Sequence, residues 1–358
     1  MSAVPETRVH KPKSGIRAVA EQVSLSPSAV SLALRGSSSI PLETRARVQQ
    51  AAENLNYVHK PRHMRERRST RKYIFIMDDH GDRPVMSNPF FGEVLAGAEN
   101  QCADTNSTLT FCLLRTNTPE LALTQTFTRS EMDGILLVGP YPPSLIERVC
   151  RNTNAPIVLV DNWYAGCSLD SIMADDFAGS HSMTQHLIEL GHRNILPLFR
   201  SPEKRSAPAF TERLRGYQTA MRTHQLEIRA PLYFPDELYS PHLIQWIAEH
   251  LHSAAPFTAL LCANDTFAGF ALQALEMLKR PAPKFASVSG YDDLNIAQTV
   301  SPALSTVRNH PREMGAIAVQ RLAARLNNDT GPAQHIRLGV SLVARESTRQ
   351  VHRHESLD

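Results

Sequence analysis

Two groups of residues in this sequence can do chemistry before any fold is considered: the cations near the amino terminus, and the histidines and cysteines scattered beyond. His59–Lys72, HKPRHMRERRSTRK, is dense in lysine and arginine and nearly free of apolar side chains. Such a run neutralises phosphates but cannot build a core, so alone it is a flexible linker or a segment that orders on a charged partner. Through Lys72 the chain has 14 Lys and Arg against 5 Asp and Glu, a net +9; from Tyr73 onward it has 24 against 30, a net −6. A basic head on a mildly acidic body reads as a polyanion binder. His59 and His63 stand i, i+4, the spacing of a metal-binding pair, but no third ligand is near and arginines surround them; no metal or other cofactor is expected. The five cysteines, Cys102, Cys112, Cys150, Cys167 and Cys262, are odd in number and include no C-x-x-C, which argues against a disulfide framework or structural zinc. None of G-x-x-x-x-G-K-[ST], H-E-x-x-H or G-x-S-x-G occurs, nor does G-x-G-x-x-G after the first strand-like run, so no enzyme signature is present.

Those cations must be positioned by helices. Ile16, Val19, Ala20 and Val23 recur at i, i+3, i+4, i+7, one apolar face of a two-turn helix. Ser26 can cap a second helix with Pro27 in its first turn, running to Leu34 and stopped by Gly36. Pro41 opens a third, with Val48, Ala51, Ala52 and Leu55 at helical spacing. Two short helices with a tight turn, closed by a third, form a helix-turn-helix head. The second helix would point its free N–H groups at phosphate.

From Tyr73 the pattern changes to strand-like runs at Tyr73–Met77, Leu109–Leu114, Gly134–Val138, Pro156–Val160, Asn194–Phe199, Phe257–Cys262 and Phe285–Ser289, each followed by a helix-length segment. The fold class is therefore α/β, with parallel sheets flanked by helices and ligands expected outside the carboxyl ends of the strands. The length of this alternation implies two lobes. The amino terminus lacks the apolar core of a signal peptide and no apolar run would span a bilayer, so a cytoplasmic, nucleoid-associated protein with no membrane partner is expected.

At residue level the sequence resembles the lactose-repressor/galactose-repressor (LacI/GalR) regulators. The resemblance rests on Ile16–Ala20, Leu25–Ser31, Glu43–Val48 and Leu55–Tyr57 in the head. In the body it rests on Asn88-Pro-Phe-Phe91, Leu159-Val-Asp161, His186–Arg193, Arg213-Leu-Arg-Gly-Tyr217, Cys262-Ala-Asn-Asp265, Gly290-Tyr-Asp-Asp293, Leu304–Arg308 and Arg345–Thr348. It implies a homodimer or dimer of dimers whose heads bind a two-fold symmetric double-stranded DNA operator. It also implies a periplasmic-binding-protein-like body that holds a small effector, a sugar or sugar derivative, between its lobes. The boundaries implied are 14–58 for the head, 59–72 for a basic hinge and 73–349 for the body. The first lobe takes about 73–162 and 304–328, and the second about 163–303 and 329–349.

By the same resemblance, Pro27, Ser28 and Leu32 read bases while Ser26, Ser31, Arg35 and Thr44 contact phosphate. Leu32 stands where the family commonly has Arg, so it offers apolar contact, for instance to a thymine methyl, in place of paired hydrogen bonds to guanine. In the hinge, Lys60 and Glu66 replace the usual Asn and wedging Leu. A carboxylate is repelled from a minor groove lined by acceptors, which leaves Met64 as the apolar candidate and Arg62 and Arg65 as phosphate contacts. A charged linker with no wedge is the alternative. The effector contacts implied are Asp161, Arg213, Asn264 and Asp292, with Phe90 or Phe91 as a stacking surface; Asn264 could equally be a helix N-cap. Arg213 and Tyr217 should share one helix face and Arg215 the opposite one. Rival readings are a regulator whose degenerate pocket answers to a protein partner, a solute-binding transport protein, and a sugar-converting enzyme using Asp161 and Asp292.

Overall fold

The computed structural model describes residues 16–34, 37, 40–55, 57, 70–78, 89–115, 117–129, 132–200, 207–235 and 241–351. The chain divides between Ser69 and Thr70 into two compact units.

The first unit holds α1 (Ile16–Val23), α2 (Pro27–Leu34) and α3 (Leu42–Asn54). Ser26 caps α2, its hydroxyl accepting from the Ala29 N–H at 3.2 Å, and Pro27 supplies the first-turn residue that needs no donor. The core is Val19, Ala20, Val23, Val30, Ala33, Val48, Ala51 and Ala52, closed by Ile16, Leu25, Leu34, Ile40, Leu55 and Tyr57. These side chains come from the apolar stripes legible in the sequence. Pro41 sits at the cap position of α3, so the helix begins one residue later than expected.

The second unit contains β1 (Lys72–Asp78), α4 (Pro89–Asp104), β2 (Thr108–Leu114), α5 (Glu120–Arg129), β3 (Gly134–Val138), α6 (Pro143–Asn152), β4 (Ile157–Val160) and β5 (Asp170–Ala174). It continues through α7 (Asp176–Glu189), β6 (Ile195–Arg200), α8 (Pro208–Thr223), β7 (Leu232–Phe234), α9 (Pro241–Ser253), β8 (Ala259–Cys262), α10 (Asp265–Met277) and β9 (Ser287–Ser289). It ends with α11 (Asn295–Thr299), β10 (Thr306–Arg308), α12 (Pro311–Leu326), β11 (His335–Leu338) and β12 (Ser341–Val343). Six strands form one parallel sheet in the order β11-β5-β4-β3-β1-β2, and four form another in the order β7-β6-β8-β9. Apolar clusters cover both faces of each sheet, which is why β3 and β4 are continuous buried runs with no alternation. Strands β10 and β12 form a separate antiparallel pair.

The pairing moves two lobe boundaries. Residues 163–174 and 329–338 were expected in the second lobe, but β5 pairs with β4 and β11 with β5, so both strands complete the first lobe's sheet. They escaped the sequence reading because they carry polar residues used for fixing in place of packing. Asp170 accepts from Arg321 and Arg325 on α12, and Ser171 bonds His335.

Helices α4 and α12 approach so closely that a Cβ on Gly97 would meet the Arg312 carbonyl oxygen at 1.9 Å, and one on Gly315 the Val94 carbonyl oxygen at 2.0 Å. Backbone cannot yield as a side-chain tip can. Gly315→Ala is therefore expected to destabilise the body by roughly 1–3 kcal/mol, read as a lower urea midpoint at unchanged slope.

Candidate functional site

On the head, Val30 and Ala33 turn α2's inner face into the core, which leaves the other face to solvent. Ser26, Pro27 and Ser28 are exposed and Leu32 is 36% exposed, while Ser31 and Thr44 are half-buried. Ser28 and Leu32, one turn apart, share the outward face. Leu42, at the start of α3, is 76% exposed and was not singled out from sequence. Arg35, Arg62, Met64 and Arg65 lie outside the described residues, as do Lys60 and Glu66.

In the body, chemistry collects where the carboxyl ends of the two parallel sheets meet. Asp161 follows β4, Asp176 follows β5, Ala263 and Asn264 follow β8, and Asp292 follows β9. The centre is Arg213 on α8, 4% exposed. Its Nε donates to Asp176 Oδ1 at 2.8 Å, Nη1 to the Ala263 carbonyl at 2.6 Å and Nη2 to Asp292 Oδ1 at 3.2 Å. The Tyr291 ring stacks on the guanidinium, centroid 3.6 Å from Cζ. Tyr217, one turn on, is buried and donates to the Ile195 carbonyl, whereas Arg215 faces outward and pairs with Glu212. The helix faces are those that the spacing predicts.

One guanidinium thus bonds two carboxyls, Asp176 and Asp292, and is the one positive charge acting on a third, Asp161, and the surplus negative charge has consequences. Burial first, then the neighbouring carboxylates, hold Asp161 well above its ordinary value. Asp176 is raised by burial against the pull of Arg213, and Asp292 is pushed up to about 6 for the same reason. Asp265, fully buried behind them and accepting from the Thr306 hydroxyl and Leu294 N–H, reaches about 8, chiefly through burial. Asp176 Oδ2 and the Tyr291 hydroxyl are buried without a hydrogen-bond partner among the described residues, an arrangement with capacity left for a ligand. Asp161 and Asp292 hold left-handed backbone, φ 55° and 107°, a strain that clusters at binding sites.

The structure brings Asp161, Arg213 and Asp292 together. Asn264 adjoins them, but its Oδ1 is spent as N-cap of α10, accepting from Phe267 N–H at 3.0 Å. Phe90 is not a stacking surface. Only 4% exposed, it packs with Tyr73, Met77 and Val94 in the first lobe's core. Phe91 is half-buried and reaches Gly139, the residue after β3, so of the two it is the one at the strand ends. Asp176 and Tyr291 were missed. Tyr291 lay inside a motif already noted, and Asp176 follows a strand that was not recognised.

These carboxyls set a pH dependence with a worked sign. His192, bonded to Thr258 and Ser287, is held neutral by burial with its value lowered to about 4. Its contribution is lost as pH falls from about 6.5 to 4. Asp292, raised, loses its contribution as pH rises from about 4 to 6, which offsets His192 over that range. Between pH 6.5 and 8 the raised Asp265 by itself should lower stability by roughly 2 kcal/mol, and the raised Asp161 acts in the same direction. Urea unfolding across that window checks it. Asp265→Asn should flatten the decline, and a parent that gained stability over the window would contradict the assignment.

Among the described residues no helix is long and apolar enough to cross a membrane. A family model described as bacterial regulatory proteins, lacI family, matches residues 15–60, and one for a periplasmic binding protein-like domain matches 184–348. The chain is 27% identical over 332 residues to the ribose operon repressor of Haemophilus influenzae, covering 92% of this chain and 97% of that one. It is likewise 27% identical over 335 residues to the HTH-type transcriptional repressor PurR of Proteus mirabilis, covering 93% and 96%. In fold it is similar to the lac repressor dimer bound to operator and the anti-inducer ONPF, with TM-score 0.67, 22% identity and coverage of 92% and 98%.

Proposed function

From the premise that this chain belongs to the LacI family of bacterial regulatory proteins, as a repressor with a ligand-binding body and no enzymatic role, we propose how it is controlled. As a cytoplasmic, nucleoid-associated homodimer or dimer of dimers it binds a two-fold symmetric operator through its heads. The head comprises about 14–58, the basic hinge 59–72 and the body 73–349. A small polyhydroxylated effector, a sugar or sugar derivative, enters between the lobes and is held by Asp161, Arg213 and Asp292, with Asp176 joining them and Phe91 stacking on it. Asn264 stays beside them as the cap of α10.

The observation that carries this reading is the excess of carboxyl oxygens over donors around Arg213, with Asp176 Oδ2 buried and unpartnered. Such a cluster wants donors. Vicinal hydroxyls supply them and accept from the guanidinium in return, whereas a phosphate or carboxylate ligand would add to the negative charge. The effector couples to DNA because it binds one lobe arrangement better than the other, shifting whether two heads fit two half-sites. A second reading draws on the three bonds that Arg213 already makes within the chain: a cleft satisfied by itself, with control passed to a protein partner. Thermal shifts over a panel of sugars, sugar phosphates, nucleobases and polyols decide between them. A rise with a neutral polyol supports the first, and no rise with any member removes it.

On the head, Ser26, Ser31, Arg35, Thr44, Arg62 and Arg65 hold phosphates, Met64 serves as the wedge, and Pro27, Ser28 and Leu32 face bases. Leu32→Arg should therefore exchange an apolar contact for paired hydrogen bonds and change the preferred base pair at one position per half-site by about 1–3 kcal/mol. Selection of bound sequences from a random pool is the measurement; an unchanged motif would take Leu32 out of the groove.

A further inference from the structure

Two of the five cysteines, read from sequence as unpaired, are neighbours in space. Cys150 lies in the last turn of α6 and Cys167 in the loop between β4 and β5, with their sulfurs 4.0 Å apart and both side chains half-buried. The same loop is already held to the same helix nearby, where the Tyr164 hydroxyl donates to Glu147 one turn before Cys150. Gly166 makes room for that contact, since a Cβ there would strike the Tyr164 ring. This clamp keeps the two thiols at high effective concentration. Cys102 and Cys262, by contrast, are buried in separate cores.

The geometry points to a reversible dithiol–disulfide site, Cys150–Cys167, whose oxidation by a hydroperoxide ties the loop that begins at Asp161 to α6. Closing the bond requires the sulfurs to move from 4.0 Å to about 2.05 Å. Two steps balance. The Cys167 thiolate attacks the peroxide, forming S–O and breaking O–O, and the departing oxygen takes a proton and leaves as water or an alcohol. The Cys150 thiolate then attacks the Cys167 sulfur, S–S forms, S–O breaks, and the hydroxide leaves as water with the second proton. Two thiols lose two electrons and the peroxide gains them.

The order follows from the surroundings. Burial, Cys167 and Glu147 together push the Cys150 thiol up to about 12, so Cys150 is the poorer first nucleophile and the resolving partner. Since Asp161 heads the bridged loop with left-handed backbone, a tether 6 residues downstream restrains the segment that presents it to the cleft.

The full-length protein treated with hydrogen peroxide, alkylated under denaturing conditions and mapped by mass spectrometry provides the test. The expected product is one linked peptide pair, Cys150 with Cys167, lighter by two hydrogen atoms and restored by dithiothreitol. It should form faster at pH 9 than at pH 8, because the thiolate is the nucleophile. Amide exchange over residues 162–169 should slow at least tenfold on oxidation and recover on reduction. Cys150→Ser should leave Cys167 as sulfenic or sulfinic acid with exchange in the loop unslowed, and Cys150→Ala, which keeps the apolar packing, should do the same. Over-oxidation of Cys167 in the parent without the link, or a link mainly to another cysteine or chain, would overturn the site. A link that left exchange at 162–169 unchanged would overturn the tether.

Discussion

Arg213→Ala is expected to weaken effector binding by about 2–4 kcal/mol, roughly 30- to 1,000-fold, because a buried charge-assisted contact loses its donor. Arg213→Lys should behave almost as badly. A single ammonium cannot serve Asp176, the Ala263 carbonyl and Asp292 in the three directions that the guanidinium spans. The same change strands two buried carboxyls. Breaking such a pair costs about 3–5 kcal/mol, lessened here because raised carboxyls can take up protons. Affinity and stability must therefore be read separately, by calorimetry with the identified effector and by urea unfolding of the same preparation. Arg215→Ala, on the outward face where the side chain pairs with Glu212 and lies over the Phe177 ring, should leave both unchanged. If Arg215 mattered as much as Arg213, the helix face and the cleft built on it would be wrong.

The second large effect concerns the division of labour between the two compact units. A fragment starting at Thr70 should fold, bind effector and lose operator binding altogether, since it discards residues 1–69, which carry 12 Lys and Arg against 5 Asp and Glu, a net +7, and keeps a body in which acidic residues outnumber basic ones. In the full chain, operator affinity should fall linearly with the logarithm of salt concentration, with a slope of about −0.9 per phosphate neutralised. Six or more phosphate contacts would mean a loss of about a thousandfold or more between 50 and 200 mM. Comparable operator binding by the fragment would reverse the assignment of the DNA-binding head.

Much of this architecture was legible because hydrophobic periodicity is strongest where burial is complete. The stripe Val19, Ala20, Val23 and the runs Gly134–Val138 and Ile157–Val160 each lie inside a core. Strands that are short and half polar gave no such signal. In β11, His335-Ile-Arg-Leu338, two of four residues are exposed, and β5 opens with Asp170 and Ser171, whose value is in ion pairing and hydrogen bonding. Missing β5 hid Asp176, which needs that strand's carboxyl end to be placed. The ambiguity between Phe90 and Phe91 was resolvable in principle. Phe90, Val94, Gly97 and Ala98 mark one helical stripe, all buried, and Phe91 is off it. Asn264 shows the opposite limit: cap and ligand contact ask for the same residue at the same place, and only the occupied hydrogen bond to Phe267 N–H tells which use its oxygen has.

The sheet order β11-β5-β4-β3-β1-β2 also bears on how the protein is made. A ribosome delivers β1 to β5 first, yet β11 and the α12 arginines that grip Asp170 emerge some 150 residues later. Until then the outer edge of β5 is an unpaired strand, the kind of edge to which other chains add, and Asp170 lacks its cations. Completion of the first lobe must wait for the second to be synthesised, so the nascent chain passes through a long interval with an open edge. Chains stopped short of His335 should accumulate in aggregates or on chaperones, and a stalled-ribosome series would show the body gaining protease resistance only once β11 has cleared the exit tunnel.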